Sequence, residues 1–384
     1  MMKLMALVLR LFAKVICLFP LKRRIVFLSR QSSNLSLDYR LLIAEIHRQY
    51  PDTEVAVCIN EPETKNKLSF VTGTLRQLRY AMTSQVVVVD GYVPAVCIPD
   101  KRPGVTVVQM WHALGAVKKF GYQSVGTAAG RSEKAAQDAR MHRNYDTIIA
   151  GGAAAAPWYS EAFGYPEDAI VPLGLPRIDY LRDADPASPR ARRMADLAEK
   201  YPFLTDRPCV LYAPTLRKGA GYENWLTDYV KALAESWDGD KLDLVVAAHP
   251  LDNSFDESLL ATYDFLHVVR GASTIDLLGL VDYVITDYSA VAFEAGLLQR
   301  AVYFYIPDVC AYRQSPGLNI DLLTAFPEAS STDAGELAKR ISADFSSSRK
   351  GGDGFSAFVE EYFQVVPARC SQAIAEYLQG CLKA

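Results

Sequence analysis

Two histidines each follow directly on an apolar run that reads as a buried strand. Val105–Gln109 leads into Met-Trp-His112-Ala-Leu-Gly115-Ala-Val-Lys118-Lys119, and Leu242–Ala248 leads into His249-Pro250. A side chain just past the carboxyl end of a parallel strand faces the ligand crevice of an α/β domain. An imidazole there, with Lys118 and Lys119 on the same turn, suits a hydroxyl that must lose a proton while attacking an anion. Gly115 lets the backbone approach closely, and Pro250 gives His249 a rigid exit. A third strand end, Leu211-Tyr-Ala-Pro-Thr215-Leu-Arg217, offers a hydroxyl and a planar fork suited to phosphate. The fourth is Val284-Ile-Thr-Asp287-Tyr-Ser289-Ala290-Val-Ala-Phe-Glu294: strand, short turn, helix. Ser289 suits an N-cap, and the amides of the first turn can take a phosphate. Glu294 lies where it could hold a ribose hydroxyl pair. Each element also has an ordinary alternative, a core histidine bonded to backbone or a plain capped helix start. His47, His142 and His267 lack such surroundings and read as structural or surface residues.

The same search excludes several chemistries. The chain holds no GxxxxGK[ST], no GxGxxG after a strand, no HExxH and no GxSxG. P-loop, common dinucleotide, zincin and nucleophile-elbow readings fall away. No carboxylate cluster of metal-site type stands out. No cofactor is implied with certainty, and assistance by Mg²⁺ is left open.

Strand and helix patterns alternate to position these residues. Strands are expected at Ile25–Leu28, Glu54–Ile59, Gln85–Asp90, Val105–Gln109, Asp146–Ala150 and Ala169–Leu173, with helices at Leu37–Arg48 and Thr72–Ala81. Prolines and charges over 182–208 read as a linker with one exposed helix, about 187–200. The pattern restarts with strands at Cys209–Ala213, Leu242–Ala247, Leu266–Val269, Tyr283–Thr286 and Ala301–Tyr305. Helices are expected over Trp225–Ser236, Ser273–Val281 and Ser289–Leu298, and Phe355–Leu382 reads as helical. The fold class is therefore α/β, two doubly wound Rossmann-like halves with parallel sheets. The divisions are 1–22, 23–181, 182–208, 209–350 and 351–384, with the active site expected in a cleft between the halves.

The 384 residues are 50% hydrophobic, which excludes a disordered or low-complexity chain. With 41 basic and 44 acidic residues, the net charge of −3 speaks against a generic nucleic-acid binder. The charge is uneven: the first 50 residues hold nine Lys/Arg against two Asp/Glu, the remainder 32 against 42. Seven widely spaced cysteines without a CxxC pair read as free thiols in a reducing compartment. The opening segment, MMKLMALVLRLFAKVICLFPLKRR, carries Arg10 and Lys14 inside its apolar run. Each would cost ~2.5–3.5 kcal/mol at the centre of a bilayer-spanning helix. At about 100° per residue, Lys3, Arg10 and Lys14 fall within roughly 40° of one another. One basic stripe on an apolar helix, followed by Lys22, Arg23 and Arg24, fits a helix lying flat on an anionic membrane surface. Packing on its own domain is the competing reading.

In order along the chain, six segments resemble the CDP-glycerol:glycerophosphotransferase family of teichoic-acid synthesis. They are Gln109-Met-Trp-His-Ala113, Leu173-Gly-Leu-Pro-Arg-Ile-Asp179, Tyr212-Ala-Pro-Thr-Leu-Arg217, His249-Pro250, Ile285 to Glu294, and Phe304-Tyr-Ile-Pro-Asp308 with Tyr312-Arg313. The resemblance covers about Arg24 to Asp321. It implies a GT-B-type fold and peripheral attachment to the cytoplasmic membrane face. It also implies transfer of a polyol phosphate from CDP-glycerol or CDP-ribitol to an undecaprenyl-diphosphate-linked acceptor, releasing CMP. By carry-over, His112 is the base and His249 a ligand of the donor phosphate. Thr215, Arg217, Asp287, Ser289, Ala290 and Glu294 belong to the donor site in 209–350. Lys118, Lys119 and Arg313 serve phosphate or acceptor, and the acceptor side is 23–181. Longer polymerases usually show Gly-Thr after Trp-His, where this chain has Ala113-Leu114, so it looks more like the short primase-like members, and its length agrees. Lys218-Gly219 stand where the family has an acidic residue. A nucleotide-sugar glycosyltransferase and an inactive scaffold homologue are the alternatives, and an oligomer is left open.

Overall fold

A computed structural model describes residues 2–60, 67–217, 222–248, 252–347 and 350–383. Its contacts divide the chain into two units. The first comprises Met1–Leu114, Lys119–Asp179 and Phe363–Ala384, and the second Gly115–Lys118 and Tyr180–Tyr362.

The first unit is built on β1 (Lys22–Ser29), β2 (Glu54–Ile59), β3 (Ser84–Val89), β4 (Thr106–Gln109), β5 (Thr147–Ile149) and β6 (Ile170–Val171). All pairs are parallel, in the order β2-β1-β3-β4-β5-β6. Ile25 to Leu28 and Val86 to Val89 are fully buried, as expected of strands covered on both faces. Helices α1 (Met2–Ile16), α2 (Leu37–Gln49) and α3 (Lys67–Thr83) belong to this unit. Ser36 starts α2 by accepting the Tyr39 amide.

The second unit holds β7 (Cys209–Tyr212), β8 (Asp243–Ala247), β9 (Leu266–Val269), β10 (Tyr283–Thr286), β11 (Ala301–Tyr305) and β12 (Ser330–Ser331). Their order, β12-β11-β10-β7-β8-β9, is again wholly parallel and is that of a Rossmann sheet. The 182–208 stretch, expected as a linker, carries helices Pro189–Lys200 and Phe203–Asp206 and clusters with the second unit.

Several elements depart from the sequence pattern. The helix expected over Ser273–Val281 is a single turn, Thr274–Leu277. The helix Ala334–Phe345 was not anticipated, although Asp333, which accepts the Glu336 amide, is a legible N-terminal signal. The C-terminal helical stretch is broken into Asp353–Tyr362 and Cys370–Gly380, with Pro367 in the gap. The second piece returns to the first unit, where Asp179 accepts the Cys370 and Ser371 amides at 2.7 Å each. Gly174 (φ 72°) lies so close that a Cβ there would sit 2.6 Å from the Cys370 Sγ. Arg177 adds a pair to Asp38 on α2. The Leu173–Asp179 segment is thus a latch for the final helix.

The helix α1 packs through Ala6, Leu9 and Ala13 against its own unit, touching α3. Leu7, Leu11, Phe12, Val15, Leu18 and Phe19 stay 48–85% exposed. Among the described residues no helix is long and apolar enough to cross a membrane. Arg24 does not extend the basic stripe. It lies inside β1 with its side chain 8% exposed, donating to Ser84 and Thr83 at 2.8 Å and paired with Glu54 at 3.3 Å. Its guanidinium also covers the Tyr80 ring at 4.8 Å.

Arg24→Ala should therefore destabilise the protein by about 2–4 kcal/mol, since charge-assisted bonds and ring packing are lost from a buried site. Glu54→Ala should cost under about 1 kcal/mol, because that carboxylate is half exposed. Urea midpoints of the two variants check the asymmetry, and equal losses would contradict it.

Candidate functional site

In the first unit the sheet order reverses between β1 and β3, and a crevice opens outside the carboxyl ends of strands at such a point. Arg30 and Gln31 leave β1 there, Asp90 to Tyr92 leave β3, and Trp111-His112 leave the adjacent β4. Trp111 is held in the left-handed region at φ 58°, a conformation a bulky residue adopts only when its surroundings impose it. Gln109 Oε1 accepts its amide at 2.8 Å, and its ring stacks on Phe120 at 4.8 Å. This turn delivers the exposed His112, whose Nδ1 lies 2.8 Å from the Asp90 carbonyl oxygen. A carbonyl can only accept, so Nδ1 donates, and in the neutral ring this is the tautomer with its lone pair on Nε2.

The Asp90 carboxyl points elsewhere. One oxygen accepts from Ser29 at 2.8 Å, while the other is buried without a partner among the described residues. Burial pushes its pKa up to about 7, against the Ser29 hydrogen bond. Beside it, Arg30, Gln31, Tyr92, Trp111, Arg131 and His142 line a cavity of about 470 Å³. His142 is 4% exposed, and burial pulls its pKa down to about 3, so it is a neutral wall. The sequence reading dismissed it and missed Arg30, Asp90 and Arg131. Arg30 and Asp90 were signalled only by following strand ends, and Arg131, in the loop before the helix Glu133–Asp138, by nothing local.

In the second unit the reversal falls between β7 and β10, and the expected donor residues gather at those two ends. Asp287 accepts the Thr215 amide at 3.0 Å and its hydroxyl at 2.7 Å. The Arg217 side chain, 3% exposed, pairs with Asp287 at 2.8 Å and with Asp308 at 2.8 Å, and donates to the Thr215 carbonyl at 2.7 Å. Tyr312, Trp225 and Tyr288 surround its guanidinium at 4.8–5.6 Å. Its donors are turned inward, which corrects the expectation of a phosphate fork: Arg217 holds loops. Lys118 is carried with this unit, with its pKa lowered by burial although Asp287 acts against it. Gly115 runs against Phe293, whose ring atom would lie 2.2 Å from an added Cβ. The residue types were legible, but the inward network was not, because pairing partners 70–90 positions apart leave no local pattern.

The match to known proteins follows from this geometry. Residues 11–380 match the family described as CDP-glycerol:poly(glycerophosphate) glycerophosphotransferase. The chain belongs to this family. It is a CDP-polyol phosphotransferase. A teichoic acid ribitol-phosphate primase of Bacillus spizizenii is 28% identical over 363 residues, covering 94% of this chain and 91% of that one. A teichoic acid glycerol-phosphate primase of the same organism is 28% identical over 327 residues, 84% and 81% of the two chains. Among solved structures, the wall teichoic acid polymerase TagF superposes with a TM-score of 0.74 at 20% identity, over 97% of this chain and 93% of that one. A UDP-GlcNAc 2-epimerase of Neisseria meningitidis reaches 0.63 at 14% identity, over 93% and 99%. These likenesses give the phosphotransferase a GT-B fold.

The remaining site residues of this family member fall as follows. Ser289 stands at the helix start. The helix Val291–Leu297 starts from Ala290, which is already helical in backbone angles, and the Ser289 hydroxyl accepts the Val291 amide only at 3.4 Å. Glu294 is 5% exposed on that helix. Arg313 pairs with Asp321 at 2.7 Å on the surface. Lys119 belongs to the first unit, apart from Lys118 in the second. His249, Lys218 and Gly219 lie outside the described residues. Among the described residues no group of three or more His, Cys, Asp or Glu is arranged to hold a metal ion.

Asp90 makes a pH prediction. Its folded pKa is raised above the unfolded value, so its contribution to stability is complete below pH ~4 and lost as pH rises through about 7. Over that window the loss approaches ~1.4 kcal/mol per pH unit. Asp90→Asn should remove this slope while leaving the carbonyl that holds His112. Urea unfolding at pH 5, 6 and 8 measures it, and an unchanged slope in the variant would count against the buried-acid reading.

Proposed function

We propose that this enzyme transfers glycerol phosphate, or another polyol phosphate, from a CDP-activated donor to a lipid-linked acceptor, as a primase-type member of the family. The acceptor's terminal hydroxyl attacks the β-phosphorus, the bond from that phosphorus to the bridging oxygen breaks, and CMP leaves. His112 takes the hydroxyl proton. The observation that carries this reading is the 2.8 Å contact from His112 Nδ1 to the Asp90 carbonyl, which leaves Nε2 as the basic nitrogen at an exposed strand end. The donor's cytidine and pyrophosphate belong with the second unit, near the Ser289–Ala290 turn and Glu294, with His249 as a phosphate ligand. Lys118 offsets developing charge. The acceptor is proposed to carry an undecaprenyl diphosphate.

His112→Ala should lower kcat by ~10²–10⁴ with the fold intact, as for loss of a positioned base. The assay supplies CDP-glycerol and CDP-ribitol with a lipid-disaccharide acceptor and identifies the product by mass spectrometry. A phosphodiester supports the reading, and a glycoside would replace it with sugar transfer. Near-normal turnover in a folded His112→Ala protein would remove the proposed base.

We place the enzyme at the cytoplasmic membrane surface, through α1. Its protein-facing residues are Ala6, Leu9 and Ala13, and on a helical wheel the exposed Leu7, Leu11 and Val15 point the opposite way. Arg10 and Lys14, both exposed, flank that apolar face. This is the arrangement of an interfacial helix, with acyl contacts at the centre and anionic headgroups at the edge. Lys3, Arg10 and Lys14 together replaced by Glu should abolish binding to anionic vesicles, and Gln should leave a salt-insensitive remainder. Co-sedimentation at low and high salt tests this. Wild type that never binds vesicles would reduce α1 to a packing element.

A further inference from the structure

We propose that the cavity beside His112 is a phosphate subsite for the acceptor, in which Arg30 and Arg131 hold a phosphodiester or diphosphate group close to the attacking hydroxyl. The proposal rests on the phosphotransfer reading above and adds to it which part of the acceptor is recognised and by what.

The cavity already has the features of an anion site. Arg30 leaves the end of β1 with its guanidinium over the Phe70 ring at 5.2 Å, while that of Arg131 lies over the Tyr92 ring at 4.7 Å. A cation–π contact of this kind holds a guanidinium without neutralising its charge. Among the described residues neither arginine is ion-paired, in contrast to Arg217, and the Arg30 Nε is buried without an acceptor. Burial lowers the Arg30 pKa, and the charge on Arg131 lowers it further. Two like charges held at one cavity repel unless an anion lies between them, and phosphate matches the fork geometry. His142, neutral in its buried place, adds no competing charge, and the volume of about 470 Å³ admits a phosphate with the polyol units on either side.

The link to the base is direct. Trp111 lines the cavity and its ring lies 4.1 Å from that of His112. Gln31, another lining residue, donates to the Asp90 carbonyl that also holds His112 Nδ1. An acceptor phosphate bound here would place the hydroxyl of its own terminal unit within reach of the base. Such a site selects a chain that already bears phosphate over a bare alcohol.

The test uses the full-length enzyme with Arg30→Gln, Arg131→Gln and the double variant. Arg131 is exposed, so its replacement keeps the experiment readable if Arg30→Gln fails to fold, and Arg30→Lys retains the charge without the fork. Each Gln variant should raise KM for the phosphate-bearing acceptor about tenfold or more, and the double by about 10²-fold. KM for the CDP-polyol should move less than twofold. Preference for a phosphate-bearing acceptor over its dephosphorylated analogue should collapse in the double variant. Binding of bis(glycerol) phosphate, followed by NMR of the wild type and double variant, gives a readout independent of turnover. Loss of that binding in the variant supports the subsite even if wild type makes a different product, in which case only the phosphotransfer reading fails. A rise in donor KM alone would assign the cavity to the donor. Folded variants with unchanged acceptor KM and unchanged probe binding would overturn the proposal.

Discussion

The second unit depends on one buried charge. A guanidinium out of water is costly unless its donors are met, and Arg217 meets them with Asp287 at the end of β10 and Asp308 just past β11. The same Asp287 accepts from Thr215, so three neighbouring strand ends, those of β7, β10 and β11, are tied to one side chain. The stacked Tyr288 and Tyr312 rings, 3.8 Å apart, close around it, and the Tyr288 hydroxyl donates to Asp308. Removing either carboxylate would leave some of the guanidinium's donors unmet in this setting. The cluster therefore fixes the shape of the loops around the sheet's reversal point. The groups that touch a donor must be sought on the residues it positions.

The first unit reaches the same end by other means. There the reversal point is held by main-chain contacts: the Asp90 carbonyl receives His112 and Gln31, and Gln109 bridges from the Gly91 carbonyl to the Trp111 amide. What this arrangement leaves over is positive charge. Arg30 and Arg131 stand against aromatic faces, while the arginine of the second unit is neutralised twice. Two arginines without an ion-pair partner among the described residues of one unit, and a doubly paired arginine at the reversal point of the other, are a physical basis for different ligand roles.

The strand periodicity was strong enough to locate almost every strand, because apolar runs of four to six residues such as Val86–Val89 admit few readings in an alternating chain. The short helices around Pro176–Arg182 and Val309–Gln314 left no periodic signal. Of the site, His112 and the gathering of Thr215, Arg217 and Asp287 were legible, since each follows a strand. Their roles were not. Whether an arginine points at a ligand or at two carboxylates is decided by Asp308, 91 positions away, and no spacing rule connects the two. The helix start at Ser289 was legible in its type: Ala290 after it already has helical angles, and the Ser289 hydroxyl accepts the Val291 amide at 3.4 Å. The basic run Lys22-Arg23-Arg24 misled because the buried part of the strand begins at Arg24, while Lys22 and Arg23 stay exposed.

The Asp90 carbonyl, and not the nearby carboxylate, holds His112, the proposed base. A carboxylate on Nδ1 would stabilise the imidazolium and favour a protonated ring before substrate arrives. A carbonyl fixes the same tautomer with a weaker preference for the charged form, so the ring stays available to take a proton. The Asp90 carboxyl, on the side chain of the same residue, is instead tied to Ser29, and burial pushes its pKa up to about 7. Its charge would otherwise sit close to the arginine-lined cavity and compete with a phosphate for the same cations. Burial that raises the pKa of this acid lets one residue orient the proposed base through its main chain while its side chain carries less negative charge beside those cations.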